Sequence, residues 1–314
     1  MKRIFCLYTG GTIGCVDSPN GLIPQHGILP KLISDLACSH IPSIEVTLHE
    51  YAQALDSAAM TPTHWRHIAC DIAERVKHYD GFVVLHGTDT MAWTGAALHW
   101  QLENIHKPVI LTGAQRPWIH AGSDAPANMQ LALETAASDI TGVHVAFGGL
   151  VLPAHCVKKL DADHDTAYGA PNAAHTNAMP TDQFALRAIN PALNILALKL
   201  YPGCENAIAS MIQTQTWDGM VIESYGSGNL PSHDGLTQAL NEQAQRGAII
   251  INCTQCIAGE VRQGLYATGD VFNTLGAWPA GRRTVEAART WLYTHLGRSD
   301  KEVLRQAWQS VASL

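Results

Sequence analysis

The chain has 314 residues, 46% of them hydrophobic and 15% charged, with a formal net charge of −7. High hydrophobicity with few charges excludes a disordered chain, and the acidic balance excludes the basic field that binding a phosphate backbone requires, so no nucleic acid partner is expected. The length predicts two domains, each able to bury a core. No apolar stretch reaches membrane-spanning length without charge or glycine, and the N-terminal apolar run ends early, at Thr9-Gly10-Gly11. The expectation is a cytoplasmic protein that does not enter a membrane. Its eight cysteines then stay reduced. Only Cys253 and Cys256 are close in sequence, and with no second pair they read as a strand end with two half-buried thiols.

Taken in chain order, residues 3–8 predict a buried strand ending at a glycine turn. Residues 15–27, with their Pro and Asn-Gly breakers, predict a mobile loop. Residues 45–51 form a second strand and 56–61 a second loop. Thr61-Pro62 starts a helix, the threonine as cap and the proline in the first turn, with an apolar face of Trp65, Ile68, Ala69, Ile72 and Val76. A strand at 82–85, a helix at 91–103, a strand at 109–112, a helix at 124–137 and a strand at 143–147 follow. Residues 153–180 read as a polar excursion. From 191 a smaller unit begins: strands at 195–200, 219–225 and 248–252, and helices at 206–213, 232–244 and 284–296. Residues 259–269 read as a turn-rich loop, able to contact the first domain or a partner subunit. Strands alternating with helices define an α/β protein. A larger N-terminal domain holds a parallel sheet with helices on both faces (1–185), then a linker (186–200) and a smaller C-terminal α/β domain (201–314).

In such a sheet the chemistry lies in loops leaving the carboxyl ends of the strands. Four of these carry polar clusters: 9–14, 56–57, 86–90 and 113–116. Thr9-Gly10-Gly11-Thr12-Ile13-Gly14 has neither dinucleotide-fingerprint spacing nor the lysine of a phosphate loop. It offers two hydroxyls on a tight turn, or simply a glycine turn with capping threonines. His86-Gly87-Thr88-Asp89-Thr90 offers either a helix cap or one arm of a proton relay. A threonine needs a positioned base, and Lys158-Lys159 is the basic pair in the excursion; spacing alone reads that pair as solvated. The sixteen histidines form no metal-ligand pattern, so no metal and no cofactor are expected. Tyr8 and His86 read as satisfied core or rim groups, and Trp93 and Trp100 as core packing or a subunit contact.

Together these motifs resemble the bacterial L-asparaginase family, and its cytoplasmic type I branch most closely. The resemblance rests on Thr9–Gly14, His86–Thr90, Asp56-Ser57, Thr112-Gly-Ala-Gln-Arg-Pro117 with Ser123-Asp124, Ser224-Tyr-Gly-Ser-Gly-Asn229 and Thr254-Gln-Cys256. It covers nearly the whole chain. It implies hydrolysis of L-asparagine to L-aspartate and ammonia through a threonine nucleophile and an acyl-enzyme. Thr12 then resembles the nucleophile, and Thr88, Asp89 and Lys159, preferred to Lys158, the second catalytic group. The resemblance implies a substrate pocket of Gly11, Ser57, Ala58, Gly87, Thr88, Asp89 and Ala114, with Ser57 and Asp89 gripping the α-carboxylate and α-amino groups. It also implies a homodimer that can pair into a tetramer, and an allosteric or interface segment at Asn229, Thr254 and Cys256. Two departures stand out: Leu22 where relatives often have a loop tyrosine, and Cys156 where many have arginine. They keep open an amidohydrolase acting on another asparagine or glutamine derivative, and a catalytically weak asparagine-binding sensor. A nucleotide enzyme rests on fold analogy alone and lacks the fingerprint.

Overall fold

The computed structural model describes residues 1–173, 182–265 and 267–310, without the side chains of 267–269. The end of the 153–180 excursion and Tyr266 lie outside the described residues. The chain divides into two compact units, Met1–Ile189 and Asn190–Leu314.

In the first unit, β1 (Lys2–Tyr8) is followed by a hairpin, β2 (Cys15–Ser18) and β3 (Gly21–Pro24), then α1 (Leu29–His40) and β4 (Ile44–Glu50). Next come α2 (Pro62–Arg75), β5 (Gly81–Leu85), α3 (Met91–Gln101), the short β6 (Leu102–Glu103), β7 (Pro108–Thr112), α4 (Ala125–Ala136), β8 (Gly142–Phe147) and β9 (Leu150–Pro153). Three further short strands are β10 (Lys158–Lys159), β11 (Tyr168–Gly169) and β12 (Ala185–Leu186). Six strands form one sheet in the order β4-β1-β5-β7-β8-β9. All pairs are parallel except β8–β9, an antiparallel edge that sequence reading did not anticipate.

The central strands are apolar on both faces because both faces are covered. The pleat sends Phe5, Leu7, Phe82, Val84, Val109 and Leu111 toward Ile68, Ile72 and Leu98 of α2 and α3. It sends Ile4, Cys6, Tyr8, Val83, Leu85 and Ile110 toward Ile33 of α1 and Met129 and Leu133 of α4. At the edge, β4 alternates exposed residues with less exposed ones, as a strand with one covered face does.

One expectation for the early chain is corrected. Residues 15–27 are not a loop throughout: β2 and β3 pair, Val16 with Ile23 and Asp17 with Leu22, across Pro19-Asn20. Those breakers mark the hairpin's tip, where Ser18 Oγ donates to the Gly21 carbonyl at 2.6 Å. Residues 29–40 form α1, whose signal was present in the spacing of Leu29, Ile33 and Ala37 and in a proline in the first turn.

The second unit holds β13 (Ile195–Lys199), α5 (Glu205–Gln213), β14 (Gly219–Ser224), α6 (Asp234–Gln245), β15 (Ile249–Thr254), α7 (Ala267–Thr274), β16 (Trp278–Pro279), α8 (Val285–His295) and α9 (Lys301–Ser310). Its four strands run parallel in chain order. Ile208 and Ile212 of α5 and Leu236 and Leu240 of α6 cover Met220, Ile222 and Ile250. Trp291 of α8 meets Trp278 and Trp308 edge-on at 6.1 and 5.0 Å between ring centres. Strand β13, expected at 195–200, lies within the stretch 186–200 that the expected domain division made a linker.

Candidate active site

Three of the four polar clusters become single turns of 3-10 helix in the first unit: Thr12–Gly14, Ser57–Ala59 and Thr88–Thr90. Strands β1 and β5 are hydrogen-bonded neighbours, so the turns that leave them are adjacent. Glycine lets them touch. A Cβ on Gly11 would stand 2.5 Å from the Gly87 nitrogen, and one on Gly10 would stand 2.2 Å from the Leu55 carbonyl oxygen. Both glycines have positive φ, +99° and +140°, which an L side chain rarely adopts. A Cβ on Gly87 would stand 2.5 Å from Ser57 Oγ. Backbone bonds complete the junction: Thr9 N–H donates to Leu85 O at 3.0 Å and Leu55 N–H to Thr9 O at 2.7 Å, while Thr90 Oγ1 donates to Ser57 O at 2.7 Å. Residues near positions 10, 56 and 87 thus share one corner.

The lysine reaches that corner from the excursion. Lys159 Nζ donates to Thr88 Oγ1 at 3.0 Å and to Asp89 Oδ1 at 2.9 Å. In the antiparallel pair of β10 and β11, Lys159 faces Tyr168, and the Tyr168 hydroxyl donates a short bond to the Thr88 carbonyl. Neighbouring residues of a strand point to opposite sides, which is why Lys159 and not Lys158 makes this contact. Burial, with the Asp89 carboxylate adding to it, pushes the Tyr168 hydroxyl above the ordinary phenol range, so it stays a protonated donor. Lys159 is one-fifth exposed and Asp89 two-thirds exposed, which leaves Asp89 open to a ligand. Thr88 itself is buried.

Beneath Thr88 lies a buried chain of fixed direction. Trp65 Nε1 can only donate, and it donates to Thr94 Oγ1 at 3.1 Å. The Thr94 proton then points to His86 Nε2 at 2.8 Å, and His86 Nδ1–H donates to the Gly87 carbonyl at 2.7 Å. This tautomer is that of a neutral imidazole, and complete burial lowers the His86 pKa to about 4. The chain holds the Gly87 peptide, and with it the amide of Thr88. Tyr8 does the same for the first turn: its hydroxyl donates to Gly11 O at 3.2 Å and lies where a Gly14 Cβ would stand. Burial raises the Tyr8 pKa, so this group props the turn that carries Thr12.

The loop after β7 closes another side. The buried Asp124 carboxylate accepts from Gln115 N at 2.9 Å, Arg116 N at 3.0 Å and Asn128 Nδ2 at 3.0 Å. Asn128 also donates to Gly113 O at 3.1 Å. Ala114 is buried between these anchors. Gln115 Oε1 lies 3.3 Å from Thr88 Oγ1. Sequence reading noted the Gln115-Arg116 cluster but gave neither Gln115 nor Tyr168 a part. A glutamine and a tyrosine acquire one only through the neighbours that folding gives them.

The structure therefore brings Gly11, Thr12, Ser57, Gly87, Thr88, Asp89, Ala114 and Lys159 to one corner of the first unit. Ala58 stands there on the exposed side of its turn, its N–H donating to Asp56 Oδ1 at 2.9 Å. Leu22 lies on β3, 46% exposed, and supplies no proton-transfer group. Cys156 is buried, its thiol 3.4 Å from Pro153 O and pushed up by burial to about 11, so it stands as a neutral packing group. In the second unit, Asn229, Thr254 and Cys256 gather at the carboxyl ends of β14 and β15. Tyr225 and Asn229 exchange backbone bonds of 3.1 and 2.8 Å, Thr254 Oγ1 donates to Gly226 O at 2.5 Å, and it accepts from Cys256 N at 3.0 Å. Cys253 is buried and Cys256 exposed, which corrects the expectation of two half-buried thiols. Among the described residues no group of three histidine, cysteine or acidic side chains is arranged to hold a metal ion.

Comparison with known proteins adds independent findings. Residues 3–190 match the family model described as "Asparaginase, N-terminal", and residues 194–308 the one described as "Glutaminase/Asparaginase C-terminal domain". The chain is 36% identical to L-asparaginase 1 of Escherichia coli strain K12, over 98% of this chain and 95% of that protein. Its fold is similar to the crystal structure of L-asparaginase I from Vibrio cholerae, with TM-score 0.87 and 33% identity over 98% of this chain and 97% of the other. It is also similar to the thermostable L-asparaginase from Thermococcus kodakarensis, with TM-score 0.87 and 28% identity over 98% and 96% of the two chains.

Proposed function

The chain belongs to the asparaginase family, and on that premise we propose that it hydrolyses the side-chain amide of L-asparagine to L-aspartate and ammonia with Thr12 as nucleophile. The observation that carries the residue assignment is the contact of Lys159 with both Thr88 and Asp89, on a turn whose glycine packs against that of Thr12. A primary amide is a poor electrophile, so its hydrolysis needs a positioned nucleophile and preorganised donors for the developing oxyanion. Thr12 Oγ1 attacks the carbonyl carbon and gives up its hydrogen, the carbon–nitrogen bond breaks, and ammonia leaves carrying that hydrogen. The ester that remains is attacked by water. Thr88 accepts the water proton while passing its own to a neutral Lys159, and the proton returns by the same route to Thr12 as the ester carbon–oxygen bond breaks and aspartate is released. Ser57, buried beside Gly87, serves the α-carboxylate, and the exposed Asp89 serves the α-ammonium. Gly11, Ala58, Gly87 and Ala114 line the pocket.

One methylene in a closed pocket discriminates by about 10- to 200-fold, so weak glutaminase activity is expected. We place the chain in a reducing, cytoplasmic setting, in which its cysteines stay thiols. Among the described residues no helix is long and apolar enough to cross a membrane. A homodimer, pairing further into a tetramer, is the assembly we propose, with Asn229, Thr254 and Cys256 at an effector or interface segment. That segment predicts a sigmoidal rate against asparagine, lost in Cys256→Trp. Leu22, exposed on its hairpin, favours a second reading: a slower enzyme, or one whose substrate is another asparagine or glutamine derivative.

The test is ammonia release from L-asparagine, D-asparagine, L-glutamine and simple amide derivatives, by the wild type and by Thr12→Ala. The proposal expects L-asparagine to be the best substrate and Thr12→Ala to be inactive with an unchanged circular dichroism spectrum. A Thr12→Ala variant at full rate refutes the assignment of the nucleophile. A panel led by another amide supports the second reading.

A further inference from the structure

The geometry around Thr88 assigns Gln115 a role in steering a proton, and we propose that it is a positioning residue that sets the protonation balance of the Thr88–Lys159 relay. The orientation of its amide follows from chemistry. Nε2 lies 3.1 Å from the Ala162 carbonyl and 3.3 Å from the His164 carbonyl. Both of those partners only accept, so both amide hydrogens point to them, and Oε1 faces Thr88. Thr88 Oγ1 carries one hydrogen. A charged Lys159 only donates, so while the lysine is charged the Thr88 hydrogen cannot point toward it. Gln115 Oε1, at 3.3 Å, takes that hydrogen instead.

The relay needs the opposite arrangement, with Lys159 neutral and the Thr88 hydrogen directed at its nitrogen. Gln115 therefore stabilises the charged-lysine state, because only in that state is its oxygen used by Thr88. The other charged or titratable groups around the relay are Asp89 and Tyr168 at Thr88, Asp124 under the Gln115 peptide, and Asp165, Arg116 and His164 along the loop that the amide holds. None of these changes in the Gln115 substitutions below, and Asp165 alone is altered, as a control. Gln115→Met keeps the length of the side chain and removes the acceptor. The Thr88 hydrogen then has a partner only when Lys159 is neutral, so the neutral form gains.

This inference rests on the proposed relay, and the experiment separates the two. The pH profile of kcat for L-asparagine is measured for the wild type, Gln115→Met, Gln115→Glu, Asp165→Asn and Lys159→Met. In Gln115→Met the acid limb is expected to move to lower pH by about half a unit to one unit, the worth of one neutral hydrogen bond, with KM changed by less than about a factor of three. Gln115→Glu keeps an oxygen toward Thr88 in either protonation state, so its limb is expected at or above the wild-type position. Asp165→Asn weakens the Arg116 clamp on the same loop without touching the amide, and its limb is expected to stay. The same shift is read without turnover from trace acetylation of the Lys159 amine across pH, quantified by mass spectrometry. A Lys159→Met enzyme at full rate overturns the relay, and the acetylation midpoints then decide the Gln115 proposal alone. If those midpoints and the limb coincide in wild type and Gln115→Met, or move equally in Asp165→Asn, Gln115 is a structural residue and the proposal is overturned.

Discussion

Acid should destabilise the first unit through His86, by an amount the structure lets one work out. The ring is completely buried, and its pKa falls from 6.5 to about 4 because burial penalises the charged form. An unfolded chain takes up this proton as the pH drops through 6.5, whereas the folded chain resists it until about 4. The stabilisation is therefore fully present above pH 6.5 and is lost as the pH falls toward 4. At about 1.4 kcal/mol per pKa unit, the full loss is about 3 kcal/mol, and at pH 4.5 about 2 kcal/mol is already gone. Burial depresses His99 and His144 as well, so they act in the same direction. The assay is urea unfolding between pH 7 and 4.5, followed by tryptophan fluorescence, since Trp65 bonds directly to Thr94 in the same buried chain. Gln at position 86 keeps an acceptor for Thr94 but does not titrate. His86→Gln should start less stable at pH 7 and then lose about 2 kcal/mol less than wild type on acidification. Parallel loss in the two proteins would refute the reasoning, as would an imidazole resonance of His86 that titrates near 6.5.

Three more outcomes are expected. Lys159→Met should lower the rate of ammonia release by about 10²- to 10⁴-fold with little change in melting temperature, because the group supplies acid–base catalysis rather than packing; a loss below tenfold would count against it. Gly11→Ala forces a side chain into φ +99° and its methyl to 2.5 Å from the Gly87 nitrogen, so it should cost at least about 1–3 kcal/mol in thermal unfolding and abolish activity, while Gly27→Ala, also at positive φ but with open space around it, should cost less. Leu22→Tyr should raise kcat for asparagine, since a hydroxyl is restored to a hairpin that packs next to the Thr12 turn, and an unchanged rate would mean that Thr12 is activated without this residue.

Much of the fold was legible because burial imposes simple periods. The apolar runs at 82–85 and 109–112 can only be strands covered on both sides, and Trp65, Ile68, Ala69 and Ile72 define one face of a helix. The hairpin at 15–24 was not legible, because Pro19, Asn20 and Gly21 signal a turn without saying that the residues on either side pair. The edge strand β9 was missed for a related reason: Leu150–Pro153 is too short for alternation to register, and it pairs only because β8 offers an edge. The site was legible as a set of motifs at strand ends. Of its partners in the excursion, Lys159 was reached only through the family resemblance, since a pair of lysines with little periodicity around it reads as solvated charge, and Tyr168 was not reached at all.

The sequence by itself determined the α/β layering, the strand-end location of the polar clusters, and the residue types available for chemistry, because hydrophobic period and glycine placement are local properties of the chain. Tertiary structure alone decided which groups meet. It selected Lys159 over its neighbour through cross-strand pairing with Tyr168, laid Gly11 against Gly87, and put a glutamine oxygen beside Thr88. The Lys159–Thr88 and Gln115–Thr88 contacts join residues 71 and 27 positions apart. Hydrogen-bond direction and distance between such residues depend on how whole strands and loops pack, and no local pattern in the chain encodes them.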